Sequence, residues 1–116
     1  MFLRENAFRL VKPERNLQRF GELSTIYSVG LFDYIDTDKL ARLLSALYES
    51  LAPGGALIGS FKDKYRYDTF DYHWLVKWDF FHQRSEPECF SLFDEAGIPT
   101  TNLTMVRDDS GVILFF

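Results

Sequence analysis

The stretch from Thr25 to Phe61 constrains the fold most, because it reads strand, helix, strand in one pass. Thr25-Ile26-Tyr27-Ser28-Val29-Gly30-Leu31-Phe32 is β-branched and aromatic, carries no charge, and is closed by Gly30 and Asp33. Such a run predicts a parallel strand covered on both faces. From Asp38 to Leu51, the residues Leu40, Leu43, Leu44, Leu47 and Leu51 recur at i, i+3, i+4, i+7 and i+11. That spacing predicts a helix with one apolar stripe, leaving Lys39, Arg42 and Glu49 off it. Asp36 or Thr37 can cap its start through a side-chain oxygen. Pro53-Gly54-Gly55 is expected to stop it, since Pro cannot continue a helix and Gly accepts left-handed angles. Ala56 to Phe61 then reads as a second buried strand. Strands of this kind joined through a helix define an α/β layer fold.

The flanking segments extend the pattern. Met1 to Val11 predicts a short strand and then a turn or helix start. Pro13 to Gly21 is polar and reads as a linker with one helical turn. Tyr72 to Trp78 suggests a short helix with Trp74, Leu75 and Trp78 on one side, and Phe80-Phe81-His82 an extended segment. Ser85-Glu86-Pro87-Glu88 is a capping-box signature. The helix it opens carries Cys89, Leu92, Phe93 and Ala96 on one stripe and ends at Gly97. Leu103 to Val106 and Val112 to Phe116 flank Asp108-Asp109-Ser110-Gly111, which predicts a closing antiparallel β-hairpin.

With 116 residues the chain fits a single domain, 1–116. Its net charge of −4 and lack of a Lys/Arg cluster argue against a nucleic-acid footprint. No apolar run approaches the ~18 residues of a membrane helix. One cysteine, Cys89, leaves no internal disulfide and points to a reducing, cytoplasmic setting. His73 and His82 have no third ligand nearby in sequence, so no metal site is expected.

The order of these marks resembles the second half of the class I S-adenosylmethionine-dependent methyltransferase fold. Leu51-Ala52-Pro53-Gly54-Gly55 matches that family's turn between fourth helix and fifth strand. Ala96-Gly97-Ile98 matches the turn before its sixth strand. Ile26 to Ile35 resembles the fourth strand with its loop, and Met1 to Phe8 the third strand. Trp74 to Arg84 is, more loosely, similar to bacterial small-molecule or acyl-type methyltransferases. The resemblance implies a partial Rossmann-like sheet: parallel strands with helices and a C-terminal antiparallel hairpin. It also exposes a departure. No Gly-x-Gly occurs in the sequence, and the family's glycine-rich turn and ribose-holding acidic residue have no counterpart. The reading is therefore a fragment, or a half completed by another chain.

In α/β sheets ligands bind outside the carboxyl ends of the strands. The resemblance accordingly implies that Ser28, Val29, Gly30 and Phe32 lie along S-adenosylmethionine, with Asn6, Ala7 and Phe8 by its adenine. Tyr34, Phe61, Lys62, Tyr72, Trp74 and Trp78 are candidates for the wall of a small-molecule substrate pocket, although aromatics at helical spacing more often form core. Methyl transfer needs alignment and water exclusion more than a catalytic triad, so no catalytic residue is singled out. Without the family's first strand, the Thr25–Phe32 strand is expected to be a bare sheet edge. Such an edge pairs with a second copy as a homodimer, or with Met1–Phe8 folded back or swapped. A non-catalytic remnant serving as an oligomerisation or interaction module is the alternative to an enzyme fragment.

Overall fold

A computed structural model describes residues 4–77 and 80–116, with the side chains of Asp71 and Tyr72 left out. The chain begins with a 3-10 turn, Ala7–Arg9, capped by the Asn6 side chain. Helix α1 (Pro13–Phe20) follows, then strand β1 (Leu23–Ser28), a 3-10 turn at Phe32–Tyr34 and helix α2 (Thr37–Glu49). Strand β2 (Leu51–Lys62) leads to helices α3 (Phe70–Val76) and α4 (Glu86–Glu95). A 3-10 turn at Thr100–Asn102 precedes the hairpin of β3 (Val106–Arg107) and β4 (Ile113–Phe115).

The sheet order is β1-β2-β4-β3, with β1 parallel to β2 and the other two pairs antiparallel. This is the expected α/β architecture with its closing hairpin. The Leu stripe of α2 and the Cys89, Leu92 and Phe93 stripe of α4 pack on one face of the sheet. They meet Phe61, Leu114 and Phe116 in a single core. Phe61 is its hub, with the rings of Phe32, Phe93 and Phe116 all about 6 Å away.

Several expectations need correction. Pro13 to Gly21 is a helix rather than a linker. Pro13 sits in its first turn, where a fixed φ and a missing N–H cost nothing. Asn16 is buried against Ser50, whose hydroxyl lies 3.2 Å from the Asn16 amide. That tertiary anchor is invisible in a charged stretch.

Pro53-Gly54-Gly55 does not end α2. The helix ends at Glu49 with Ser50 as its C-cap, and β2 begins at once with Leu51. The three residues instead form an irregularity inside β2. The register steps from Leu23 opposite Leu51 to Thr25 opposite Ala56, so β2 carries extra residues against β1. Gly54 takes φ +78° there, an angle that favours glycine.

The Thr25–Phe32 strand stops at Ser28 and is not covered on both faces. Tyr27 is 75% exposed, and its neighbours on that face, Ile58 and Val106, are 41% and 60% exposed. The cause is that α2 and α4 occupy the opposite face. Among the described strands it lies at a sheet edge, as the resemblance implied. Met1 to Leu3 lie outside the described residues, and Arg4 to Phe8 form no strand against that edge. Phe80 to His82 likewise join no strand.

Candidate functional site at the carboxyl ends of the parallel strands

Two strand ends, Ser28 of β1 and Lys62 of β2, point toward the same rim of the sheet because the strands are parallel. Beyond Ser28 the backbone turns through Gly30, which has φ +81°, and its N–H donates to Ser60 Oγ at 3.2 Å. A side chain at Gly30 would meet no atom within 4 Å, so the backbone there faces open space. Val29 and Leu31 are exposed on either side. The hydroxyl of Ser28 is buried and has no hydrogen-bond partner among the described residues.

The next turn is held by charge. Asp33 is buried, and its carboxylate accepts two hydrogen bonds from Lys62. Oδ2 lies 2.7 Å from Lys62 Nζ, and Oδ1 accepts from the Lys62 N–H at 3.2 Å. Two aromatic rings flank the same ammonium, Phe81 at 5.4 Å and Tyr67 at 5.7 Å. Tyr34 sets its edge against Phe81. A buried carboxylate and an ammonium under aromatic faces stabilise one another where neither could be desolvated alone.

Arg84 locks the loop from behind. Its guanidinium is buried and donates to the carbonyls of Ile35 at 2.7 Å and Phe32 at 3.2 Å. Burial lowers its pKa from the usual arginine value, opposed by nearby Cys89 and Asp33. A second network stands beside it. Arg107 bonds Asp63 at 2.7 Å and Glu86 at 3.0 Å, joining β3 to the end of β2 and to α4. Burial pushes the Asp63 carboxyl up, but the Tyr65 N–H and the Arg107 guanidinium outweigh it and hold it low.

Ser28, Val29, Gly30, Phe32, Tyr34, Phe61 and Lys62 therefore come together at this rim, but not all as a surface. Phe32 and Phe61 are buried core rings, so they support the rim rather than line it. Asn6, Ala7 and Phe8 are not gathered with them. The Asn6 carboxamide is used on the Phe8 N–H, and the segment is tied through Leu10 and Asn16 to Ser50. Ser50 accepts from Leu23 at the amino ends of the strands, the opposite end of the sheet. Tyr72 lies on α3 with its side chain outside the description, Trp74 is 74% exposed there, and Trp78 is outside the described residues. Cavities of about 720, 760 and 380 Å³ lie elsewhere, and none includes Ser28 to Gly30.

Asp33, Tyr67, Phe81 and Arg84 were missed as members of the site. Asp33 reads from sequence as a loop residue, and Arg84 lies far along the chain from the turn it clamps. The one available signal was a charged residue placed directly after an apolar run, where a solvated turn and a buried partner look alike.

No family model and no curated protein sequence matches this chain. Among solved structures, a protein of Bordetella parapertussis described as a possible exported protein superposes with a TM-score of 0.75 at 20% identity. The alignment covers 97% of this chain and 41% of that one. An O-methyltransferase family protein from Burkholderia thailandensis superposes with a TM-score of 0.63 at 16% identity, covering 99% of this chain and 34% of its own. The fold is thus an α/β fold consistent with part of a Rossmann-like sheet, of the kind found in a methyltransferase family protein. The chain spans less than half the length of either neighbour. No described helix is long and apolar enough to cross a membrane.

Proposed function

We propose that this chain is the substrate-side part of an S-adenosylmethionine-dependent methyltransferase that acts on a small-molecule or acyl substrate. The observation that carries the reading is the open turn at Val29 and Gly30 on the carboxyl end of a parallel strand, backed by the buried Asp33–Lys62 pair. Ligands of α/β sheets sit at such ends. The fit to the cofactor is partial. Ser28 to Gly30 suit one side of it, because the open backbone at Gly30 lets a ligand approach closely. Asn6, Ala7 and Phe8 do not suit the adenine, because they are tied toward the other end of the sheet. The glycine-rich turn has no counterpart in the sequence.

When bound, the cofactor supplies an electrophilic methyl group. This chain's residues supply position. The Lys62–Asp33 pair holds the turn after β1 against the end of β2, and Arg84 fixes the carbonyls of Phe32 and Ile35 behind it. The exposed Val29, Leu31 and Tyr34 give that rim an apolar surface for the substrate and for excluding water. The chain alone is expected to be inactive. Calorimetric titration with S-adenosylhomocysteine tests this. The expected outcome is no binding tighter than about 100 μM, or about −5.5 kcal/mol. Tighter binding would overturn the claim that the absent turn is essential. The buried, single Cys89, whose thiol burial pushes up to about 12, fits a cytoplasmic setting.

A second reading, a non-catalytic interaction module, is favoured by one specific observation. β1 is an edge strand without a charged residue, and Tyr27 and Ile58 stand open beside it. On this reading a second copy pairs along β1 to form a homodimer. Light scattering after size exclusion at tens of micromolar discriminates: a strict monomer removes this reading.

A further inference from the structure

Charge is unevenly placed along this chain. Residues 1–20 hold five of its thirteen basic side chains and two of its seventeen acidic ones, against a net charge of −4. The fold concentrates that excess. Arg15 and Arg19 stand four apart on α1 and so share one side of the helix. Arg9 ends the 3-10 turn that precedes α1. All three guanidiniums converge on one carboxylate, that of Glu5. Glu5 Oε1 accepts from the Asn6 N–H at 3.1 Å and lies 3.6 Å from Arg9 Nη1. Glu5 Oε2 lies 3.5 Å from Arg15 Nη2 and also accepts from Arg19 Nη1. Three cations around one anion leave a surplus of two positive charges.

A tether between the turn and α1 needs only one of these guanidiniums. The other two are surplus to it, and all three stay open to solvent. The Glu5 side chain is 12% exposed, whereas those of Arg9, Arg15 and Arg19 are 65%, 41% and 36% exposed. Each guanidinium carries five N–H donors, most of them unused by Glu5. No second carboxylate pairs with any of the three among the described residues. Arg19 also rests over the Phe20 ring, 5.4 Å from its centroid, which steadies its plane. The chain passes from α1 straight into Leu23, the amino end of β1, so Arg19 stands at the opposite end of the sheet from Gly30 and Lys62.

We propose that Arg9, Arg15 and Arg19 form a binding site for one phosphate monoester group, carried on a small molecule. The charges match, because a monoester carries about −1.5 to −2 at neutral pH. A planar guanidinium fork meets phosphate oxygens in pairs, which an ammonium cannot do. Glu5 keeps the three arms gathered beforehand, so less order has to be gained on binding. The rest of the chain decides between one phosphate and a polyanion. Beyond residue 20 it holds fifteen acidic side chains against eight basic ones. An extended polyanion would therefore run from the patch onto a surface of its own sign. The inference is independent of any reaction at the opposite rim.

The arginine Nε–H resonances of the full chain read this site directly. Titration with phenyl phosphate at constant ionic strength is expected to shift those of Arg9, Arg15 and Arg19 along one saturable curve, half complete below about 10 mM. Inorganic phosphate, the same chemistry without a carrier, should bind no tighter. Arg15→Gln should weaken binding at least about tenfold, the loss of a charge-assisted pair. Arg9→Gln guards against misfolding as the cause. Arg9 is mostly exposed and makes no hydrogen bond to Glu5, so its variant should keep the parent's Tm and still bind about fivefold more weakly. Shifts that never saturate, or that sodium chloride alone reproduces, would overturn the site. So would parent-like affinity in both variants. Tighter binding of inorganic phosphate than of phenyl phosphate would overturn the monoester, and tighter binding of a short oligothymidylate would overturn the single phosphate.

Discussion

At the residue scale, Arg84 holds the rim together through bonds to backbone alone. Its partners are the carbonyls of Phe32 and Ile35, on a loop remote in sequence. A planar fork that reaches both is a property of guanidinium, not of ammonium. Arg84→Met keeps bulk and removes the donors, leaving buried acceptors unsatisfied. It is expected to lower the stability measured by urea unfolding by about 1–3 kcal/mol. Arg84→Lys should recover only part of that loss, which separates donor geometry from charge. An unchanged urea midpoint in Arg84→Met would show that water replaces the fork freely. Neither Arg84 nor its tie to the turn was legible in the sequence. A charged residue carries no mark of its burial when its partners are main-chain oxygens about 50 positions away.

At the scale of elements, local chemistry was legible wherever it was short-range. The capping box of α4 is formed as its four-residue signature indicates. The Ser85 N–H donates to Glu88 Oε2 at 2.7 Å, and the Glu88 N–H donates to Ser85 Oγ at 3.4 Å. The Glu88 carboxyl is drawn down to about 2 by the Ser85 N–H first, then by Lys64 and the Ser85 hydroxyl. Its usual value is 4.5, so the folded pKa is depressed. The stability it contributes is therefore present above about pH 4.5 and is lost as pH falls toward about 2. Glu88→Gln should flatten that limb of a stability–pH profile while losing little at neutral pH, because the side chain is half exposed and screened. A Glu88→Gln profile parallel to the parent between pH 5 and pH 2 would refute the assignment. Elements set by long-range partners were less legible. Asp36 or Thr37 was expected to cap α2 through a side-chain oxygen; Asp36 takes the cap position, but its carboxylate turns to Lys39 and His82 and caps no helix N–H. Pro53-Gly54-Gly55 carried a correct turn signal that was assigned to the wrong event, since a strand irregularity and a helix stop call for the same residues.

At the scale of the molecule, the parallel pair and the crossover helix followed from hydrophobic period and the hairpin from its turn residues as well, whereas the bare edge of β1 was expected only from the resemblance. What period could not tell was how many faces are covered. An uncharged run such as Leu23 to Ser28 looks the same whether helices lie on one side of it or two. Here they lie on one side, so Tyr27 and Ile58 stay open next to an unpaired strand. Open apolar surface beside free backbone groups drives association, and natural edges block it with an inward or central lysine. Tyr27→Lys places such a charge near the carboxyl end of β1. Because Tyr27 is mostly exposed, the substitution should change folding stability by no more than about 0.5 kcal/mol. If β1 joins two copies, the parent should self-associate at tens of micromolar, and the lysine variant should elute and scatter as a monomer with an unchanged urea midpoint. A variant that associates as strongly as the parent would move the interface away from this edge.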